Sequence, residues 1–183
     1  MEEIKEVTVK TIVQSPVEKV WKYWTEQDHI KKWNSPSDDW HTPFAENDLR
    51  AGGKFISRME AKDGSMGFDF GGTYDEVKLH EVISYTLGDG RRVKITFKDL
   101  GKKTEVIEIF DAETENPIEF QQQGWQAILN NFKQYTEQTP NKGIFICAEL
   151  SSKISNKSPQ KSCMKAHSLF IQLLCILYCE TTI

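Results

Sequence analysis

The chain has 183 residues, with 23 basic and 27 acidic side chains and a net charge of −4 at pH 7, which is about the length of one domain with an extension. Residues 1–139 hold 18 of the basic and 25 of the acidic residues, a balance of −7, while residues 140–183 hold five and two, a balance of +3. Because nucleic-acid binding depends on Lys and Arg neutralising phosphates, the acidic longer segment argues against a nucleic-acid partner.

The cysteines and the apolar runs bear on the compartment. All four cysteines follow residue 139, so residues 1–139 cannot form an internal disulfide, and nothing indicates an oxidising compartment. The first residues are charged and lack the apolar run of a signal peptide. The apolar segment 169–178 is far shorter than the roughly 20 residues of a membrane helix. We therefore expect a cytoplasmic protein without a membrane partner.

The first third of the chain predicts one strand and two short helices. Apolar residues alternate with polar ones over residues 4–13, which is typical of a half-buried strand. Residues 15–18, Ser-Pro-Val-Glu, form a capping box that predicts a helix start, and a second short helix is predicted near residues 28–33. Residues 34–53 contain two prolines and several acidic residues and are predicted to form a long ordered loop.

The middle of the chain predicts an antiparallel meander. Five segments rich in β-branched and aromatic residues, 54–61, 67–79, 82–87, 92–98 and 104–111, predict strands, which makes six with the first. Asp63-Gly64 and Asp89-Gly90 tolerate the positive φ of tight two-residue hairpin turns. Gly71-Gly72 inside a strand predicts a bulge or bend, which a curved sheet requires.

The longest predicted element is a helix that begins after Asn116-Pro117 and ends near Gln138. It runs for roughly 20 residues, about 30 Å, and carries a broad apolar stripe that must lie against the sheet. The pattern predicts an α+β helix-grip fold for residues 1–139, with a curved antiparallel sheet wrapped around the C-terminal helix. Residues 140–183 change composition to Ser, Lys and Asn and then to apolar residues, and we expect a poorly ordered extension.

Several short motifs occur in a specific order along residues 3–138, and this order resembles a known family. They are Ser15-Pro-Val-Glu-Lys-Val-Trp21, Trp33, Gly52-Gly53, Asp63-Gly64, Gly72-Thr-Tyr-Asp-Glu-Val77, Tyr85-Thr-Leu-Gly-Asp-Gly-Arg91, Thr104, Phe110-Asp111, Asn116-Pro117 and Gly124-Trp-Gln-Ala-Ile-Leu-Asn-Asn-Phe132. The chain looks like a member of the activator of heat-shock-protein-90 ATPase homologue-like family.

The resemblance implies a START-related, birch-pollen-allergen-like fold, the same helix-grip arrangement that the pattern predicts. It also implies binding of a hydrophobic small molecule, since members of this superfamily bind such ligands and a few branches cyclise them. The family name comes from a co-chaperone. The resemblance therefore leaves two alternatives open: a polyketide cyclase-like enzyme, and a stress-response regulator with a chaperone ATPase as its partner.

The candidate ligand-binding residues are mostly aromatic, because the chain has more large rings than a small core needs, although each ring alone is more simply explained as core. Arg58 and Gln121 are added as polar groups that could face the cavity, although solvent exposure is the simpler expectation for both. The predicted set is Trp24, Trp40, Phe55, Arg58, Phe68, Phe70, Tyr74, Tyr85, Phe97, Gln121, Trp125 and Leu129.

Catalytic and metal-binding patterns are sparse. The four histidines lie far apart and form no metal-ligand spacing with Cys or each other, so we expect neither a metal site nor a cofactor. His41 follows Asp38 and Asp39 and is the weak candidate for acid-base catalysis, although a surface histidine is the simpler interpretation. The sequence thus favours binding over catalysis.

Overall fold

The computed structural model describes residues 5–140, and this region forms seven strands and three helices. In chain order they are β1 (Glu6–Val13), α1 (Val17–Thr25), α2 (Gln27–Trp33), β2 (Trp40–Asn47), β3 (Lys54–Ala61), β4 (Gly67–Lys78), β5 (Val82–Leu87), β6 (Arg92–Asp99), β7 (Thr104–Asp111) and α3 (Ile118–Gln138). The predicted α+β helix-grip fold is confirmed. Except for Pro140, the predicted extension lies outside the described residues.

The seven strands form one antiparallel sheet in the order β1-β7-β6-β5-β4-β3-β2. Strands β2 to β7 follow one another as a meander, and β1 returns to pair with β7. The two short helices therefore carry the chain from one edge of the sheet to the other. The sheet curls so that its inner face packs on α3, which places the apolar stripe of that helix against the strands.

The prediction of a long loop at residues 34–53 is wrong, because Trp40–Asn47 forms the edge strand β2. Pro43 obscured the strand pattern, since proline cannot donate to a ladder and is tolerated at edges and bulges. The register of β2 on β3 shifts between His41 and Phe44, so the proline lies in such an irregularity. The sheet therefore has one strand more than predicted.

Helices α1 and α3 begin within two residues of their predicted starts, but their predicted side-chain caps are absent. Pro16 and Pro117 occupy the N-cap positions of α1 and α3, and neither helix has a side-chain cap hydrogen bond. Ser15 is instead buried, and its carbonyl accepts a 2.9 Å hydrogen bond from the Thr104 hydroxyl. The fixed φ of proline suits a helix start, and Ser15 joins the start of α1 to β7.

The glycines predicted at hairpin turns have the expected backbone conformation, but those predicted at a bulge do not lie at one. Gly64 and Gly90 have positive φ, +76° and +90°, as predicted, but their turns are longer than two residues. The register of β4 on β5 shifts between Tyr74 and Glu76, not at Gly71-Gly72. A Cβ on Gly72 would lie 2.5 Å from a backbone oxygen of β5, so this glycine permits close approach of the neighbouring strand.

Helix α3 also covers the free edge of β1. The Gln126 amide forms two long hydrogen bonds to the backbone of Lys10, at 3.4 and 3.3 Å. The Gln122 amide donates to the Thr8 carbonyl at 3.1 Å. Unpaired backbone groups at a sheet edge invite pairing with other chains, so these glutamines protect the edge while they hold the helix across the sheet.

Candidate functional site

A cavity of about 630 Å³ lies between the concave face of the sheet and α3. Side chains of α1, α2, β2 to β5, β7 and α3 contribute to its wall. Small-molecule sites usually enclose roughly 300–1,000 Å³ and are mostly apolar with a few polar groups. The cavity has the size and the composition of such a site.

Aromatic rings that contact one another form the wall near β3 to β5. The Phe55 ring stands edge-to-face on Tyr85 with centroids 4.7 Å apart, and Phe70 packs on Trp125 at 6.0 Å. Trp125 in turn stacks on the buried Phe110 at 4.1 Å and 12°. Ring pairs at these distances attract each other beyond their burial. The wall is therefore held in shape by its own contacts.

A second aromatic group bounds the cavity on the side of the two short helices. Trp24 and Trp33 line the cavity and pack on Phe132 at 4.7 and 5.0 Å. The Trp33 indole N–H donates to the Tyr23 carbonyl at 2.9 Å, and Phe132 is fully buried. These contacts connect α1, α2 and α3 and fix the two indoles at the cavity wall.

The cavity wall also contains a buried carboxyl group. Glu108 lies on β7, is 5% exposed, and pairs in register with Val9 and Ile95, both buried apolar residues. Burial raises the pKa of Glu108 to about 8, because an apolar environment disfavours the charged form. Among residues 5–140 the carboxyl has neither an ion-pair partner nor a side-chain hydrogen bond. It is a neutral acid through most of the physiological range.

Two tyrosines lie one row further along the concave face. Tyr74 and Tyr85 pair with each other in register and both line the cavity. The Tyr74 hydroxyl donates to the Asn47 side-chain oxygen at 2.7 Å. Burial, then the nearby Glu108 carboxyl, raises the pKa of Tyr85 well above its ordinary value, and its hydroxyl has no hydrogen-bond partner among the described residues. Glu108 and Tyr85 thus present to the cavity two polar groups that no described residue hydrogen-bonds.

Gln121 lines the cavity, but its polar atoms already have partners. Its side-chain nitrogen donates to the carbonyls of Asn116 and Glu113, at 2.8 and 3.1 Å, and its oxygen accepts from the Glu113 N–H at 2.9 Å. The amide therefore fixes the turn that leads into α3. Gln121 shapes this end of the cavity and leaves little hydrogen-bonding capacity for a ligand.

The structure brings together nine of the sequence-predicted site residues on the cavity wall: Trp24, Trp40, Phe55, Phe68, Phe70, Tyr74, Tyr85, Gln121 and Trp125. They come from α1, the strands β2 to β5 and α3, so the fold gathers residues as far apart in sequence as Trp24 and Trp125.

Three other predicted residues do not lie on this wall. Arg58 points to the outer face, where it pairs with Glu60 and Asp69 at 3.2 and 3.3 Å, because its neighbours on the strand take the inward phase. Phe97 and Leu129 are buried in the core. Placing these three in a ligand site is not supported by the geometry.

His41 lies on the edge strand β2 with its side chain exposed. It pairs in register with Glu60 and is not part of the cavity wall. The geometry therefore gives no support to an acid-base pair of His41 and a neighbouring aspartate acting on a bound ligand.

Two cavity residues, Glu108 and Gly124, are not among the predicted site residues, and only Glu108 left a signal in the sequence. Glu108 occupies the inward phase of β7, between the buried residues Val106 and Phe110, so strict period-two alternation would have placed its carboxyl in the interior. Gly124 lines the cavity from α3, and a Cβ built on it meets no atom within 4 Å. In the sequence this glycine is only an interruption in a helical pattern.

The rim of the cavity carries exposed apolar side chains. Met66, Phe68 and Phe120 line the cavity and are 66%, 47% and 65% exposed. They come from the β3–β4 turn, from β4 and from the first turn of α3. These side chains mark the side on which the cavity meets solvent.

Within residues 5–140, no three His, Cys, Asp or Glu side chains are grouped as a metal site would need. No helix in this region is both long and apolar enough to cross a membrane.

The curled seven-stranded sheet, the long helix that it grips and the cavity between them define a helix-grip protein, as in the START-related superfamily. A family model described as Activator of Hsp90 ATPase homolog 1-like protein matches residues 14–137. The chain belongs to this family, which confirms the resemblance seen in the sequence.

Solved structures agree with this assignment. A protein from Cytophaga hutchinsonii is 49% identical, with 85% of this chain and 98% of that chain covered and a TM-score of 0.64. An AHSA1-like protein from Aeromonas hydrophila is 40% identical, with 75% and 99% covered and a TM-score of 0.69. A Chromobacterium violaceum protein at 22% identity, covering 73% and 98% with a TM-score of 0.63, supports the fold alone. The comparison with curated proteins finds no match.

Proposed function

We propose that the chain binds a hydrophobic small molecule in the aromatic cavity beneath α3. The observation that carries this proposal is the cavity itself: about 630 Å³ of space lined by tryptophan, phenylalanine and tyrosine side chains. Protein interiors are otherwise packed as densely as organic crystals. A space this large, which runs from an exposed apolar rim into the interior of a domain of this size, is best explained by a ligand. Family membership supports a ligand-binding fold in general.

Gly124 supports the same proposal independently. Glycine inside a helix costs roughly 0.5–1 kcal/mol relative to alanine, and here no close backbone contact requires it, since a Cβ would meet open space. The residue faces the cavity from the middle of α3. The sequence therefore accepts a weaker helix at a position where any side chain would reduce the space for a ligand.

Filling the cavity from Gly124 tests the proposal. Gly124→Phe places a ring in the open space, and we expect at least a tenfold weaker affinity for N-phenyl-1-naphthylamine, a neutral fluorescent probe, because the ring occupies the volume that the probe needs. Fluorescence titration of the full chain measures the affinity, and circular dichroism checks the fold.

A neighbouring substitution on α3 provides the control. Gln123 is exposed, so Gln123→Phe adds the same ring to the solvent face of the helix, and the probe should bind as it does to the unmodified chain. Equal probe affinity in Gly124→Phe and Gln123→Phe, with both variants folded, would place probe binding outside the cavity and contradict the proposal.

The proposal concerns binding and does not extend to the cyclase-like alternative built on His41. That side chain is exposed at the sheet edge, away from the cavity wall. A general base must come within hydrogen-bond reach of the proton that it removes. Glu108 and Tyr85, in contrast, lie on the cavity wall and have no hydrogen-bond partner among the described residues.

A further inference from the structure

We infer that the cavity selects an organic cation: an apolar, ring-bearing ligand with one protonated amine, whose ammonium group pairs with the carboxylate of Glu108. This inference rests on the proposed function, because it names the chemical class that the same cavity would take. Three separate features of the described residues point to a cation.

The first feature is the charge inventory of the cavity wall. Arg91, Glu108 and Glu113 are the charged residues on it. Arg91 pairs with Asp89 at 2.8 Å, and Glu113 accepts hydrogen bonds from the side chain and backbone of Asn116. Glu108 is left without a partner among the described residues. A buried carboxylate is stable when an opposite charge compensates it, and a ligand ammonium supplies that charge.

The second feature is the row of rings beside Glu108. Strand pairing places Glu108 on the concave face one row away from Phe110 and the two paired tyrosines, Tyr85 and Tyr74. Trp125 stacks on Phe110 from the helix side. Aromatic faces carry negative charge density and attract cations, more strongly when water is excluded. Of these rings, Tyr74, Tyr85 and Trp125 line the cavity, so an ammonium group paired with Glu108 would lie beside aromatic side chains, a setting that favours it over a carboxylate.

The third feature is the field of the domain. The balance of −7 over residues 1–139 raises the local concentration of cations at an open cleft and repels anions. An anionic ligand, such as a fatty-acid carboxylate, would meet both this field and the Glu108 carboxyl. The cavity wall therefore disfavours an acid at its inner end.

Glu108 can ionise to pair with a ligand ammonium at a small cost in free energy. Since the pKa of Glu108 is about 8, the group is mostly protonated at pH 7 and ionises at a cost of about one pKa unit, which is a factor of ten in affinity. Binding of an ammonium ion then releases this proton to solvent, and the pair that remains in the cavity is neutral overall. Amine binding is therefore linked to pH, because it releases the proton of Glu108.

The groups that face Glu108 do not themselves titrate in the pH range in which its ionisation is linked to amine binding. From β5 and β4 they are Tyr85 and Tyr74, and burial raises the pKa of both above its ordinary value, so neither ionises between pH 6 and 8. β1 and β6 present the apolar partners Val9 and Ile95. The cavity residues of α3 are Phe120, Gln121, Gly124, Trp125 and Ile128, and none of them is titratable.

Three ligands on one scaffold test the inference by calorimetric titration of the full chain: 2-naphthylmethylamine, 2-naphthylmethanol and 2-naphthoate. At pH 8 we expect the amine to bind at least tenfold more tightly than the alcohol and the naphthoate to bind most weakly. Between pH 6 and 7.5 the affinity for the amine should rise by close to tenfold per pH unit, with release of about one proton. The affinity for the alcohol should stay constant.

Two isosteric variants locate the effect. Glu108→Gln should bind the amine and the alcohol with equal affinity and without pH dependence. Glu105→Gln removes the same charge from the same strand, but Glu105 pairs with Lys98 outside the cavity, so the preference for the amine should remain. Loss of the preference in both variants would assign it to net charge and overturn the pairing with Glu108, as would a preference that survives in Glu108→Gln.

The outcomes also separate this inference from the proposed function. If Gly124→Phe blocks all three ligands but the alcohol binds as tightly as the amine, the cavity is a ligand site and the inference of an organic cation is wrong. If Gly124→Phe leaves the affinity for the three ligands and for N-phenyl-1-naphthylamine unchanged, the proposed function itself fails.

Discussion

Glu108 makes the stability of the free protein depend on pH. Its pKa is about 8 when folded and near the ordinary value of roughly 4.3 when unfolded. Between these values the folded chain holds a proton that the unfolded chain has released, so the free energy of unfolding falls as pH rises, by about 1.4 kcal/mol per unit. The stabilising contribution of the proton is present below pH 4 and is lost progressively up to pH 8.

We therefore predict that Glu108→Gln removes this dependence, because glutamine has the shape of the neutral acid and no proton to lose. From pH 5.5 to 7.5 the unmodified chain should lose on the order of 3 kcal/mol more than Glu108→Gln. Urea unfolding at the two pH values measures the free energy of unfolding of each protein. Groups that titrate equally in both proteins cancel when the two pH-dependent changes are compared. Parallel slopes for the two proteins would show that Glu108 is already ionised when folded.

At the scale of residues, the sequence predicts composition better than orientation. The rings were identifiable because large aromatic side chains are uncommon and are usually buried. Whether a residue faces the cavity depends on strand phase: Arg58 points outward while Ser57 and Met59, on either side of it, line the cavity. A shift of one residue reverses this choice, so only the pairing register settles it.

Gly124 lowers the stability of helix α3. Gly124→Ala should raise the free energy of unfolding by about 0.5–1 kcal/mol, because alanine has the higher helix propensity and its Cβ enters open space. Urea unfolding measures the change, and Gln123→Ala, an exposed position on the same turn, should be nearly neutral by comparison. A loss of stability in Gly124→Ala would mean that the helix needs glycine for a close contact and not for cavity space.

At the scale of elements, periodicity predicted every helix and all strands except β2. The error has a physical cause, since Pro43 and the bulge beside it break both the alternation and the ladder. The capping-box prediction failed for a different reason. Ser15 has the right chemistry for a cap, but it is buried with its carbonyl bonded to Thr104 on β7, and a contact so distant in sequence leaves no local signal.

At the scale of the whole molecule, the sequence order of motifs predicted the architecture because each connection is short and each strand pairs with its neighbour in the chain. The exception is β1, which pairs with β7 after the chain has crossed to the opposite edge through α1 and α2. The cavity, by contrast, could not be predicted. It is the space left between α3 and the curled strands, and its volume depends on all of their side chains together.

The contacts of residues 5–140 bear on where the cooperatively folding unit ends. Within residues 5–140, each strand pairs with its neighbour across the whole sheet, from the edge strand β1 to the opposite edge strand β2. Helix α3 packs on the core through the fully buried Leu129 and Phe132. The Tyr23 hydroxyl reaches the Pro140 carbonyl at 3.4 Å. We therefore expect a chain that stops after Pro140 to keep the urea midpoint, the m-value and the probe affinity of the full chain, since m reflects the surface exposed on unfolding. A lower midpoint with a smaller m-value would show that residues 141–183 unfold as part of the same unit, and the domain boundary predicted near residue 139 would then be wrong.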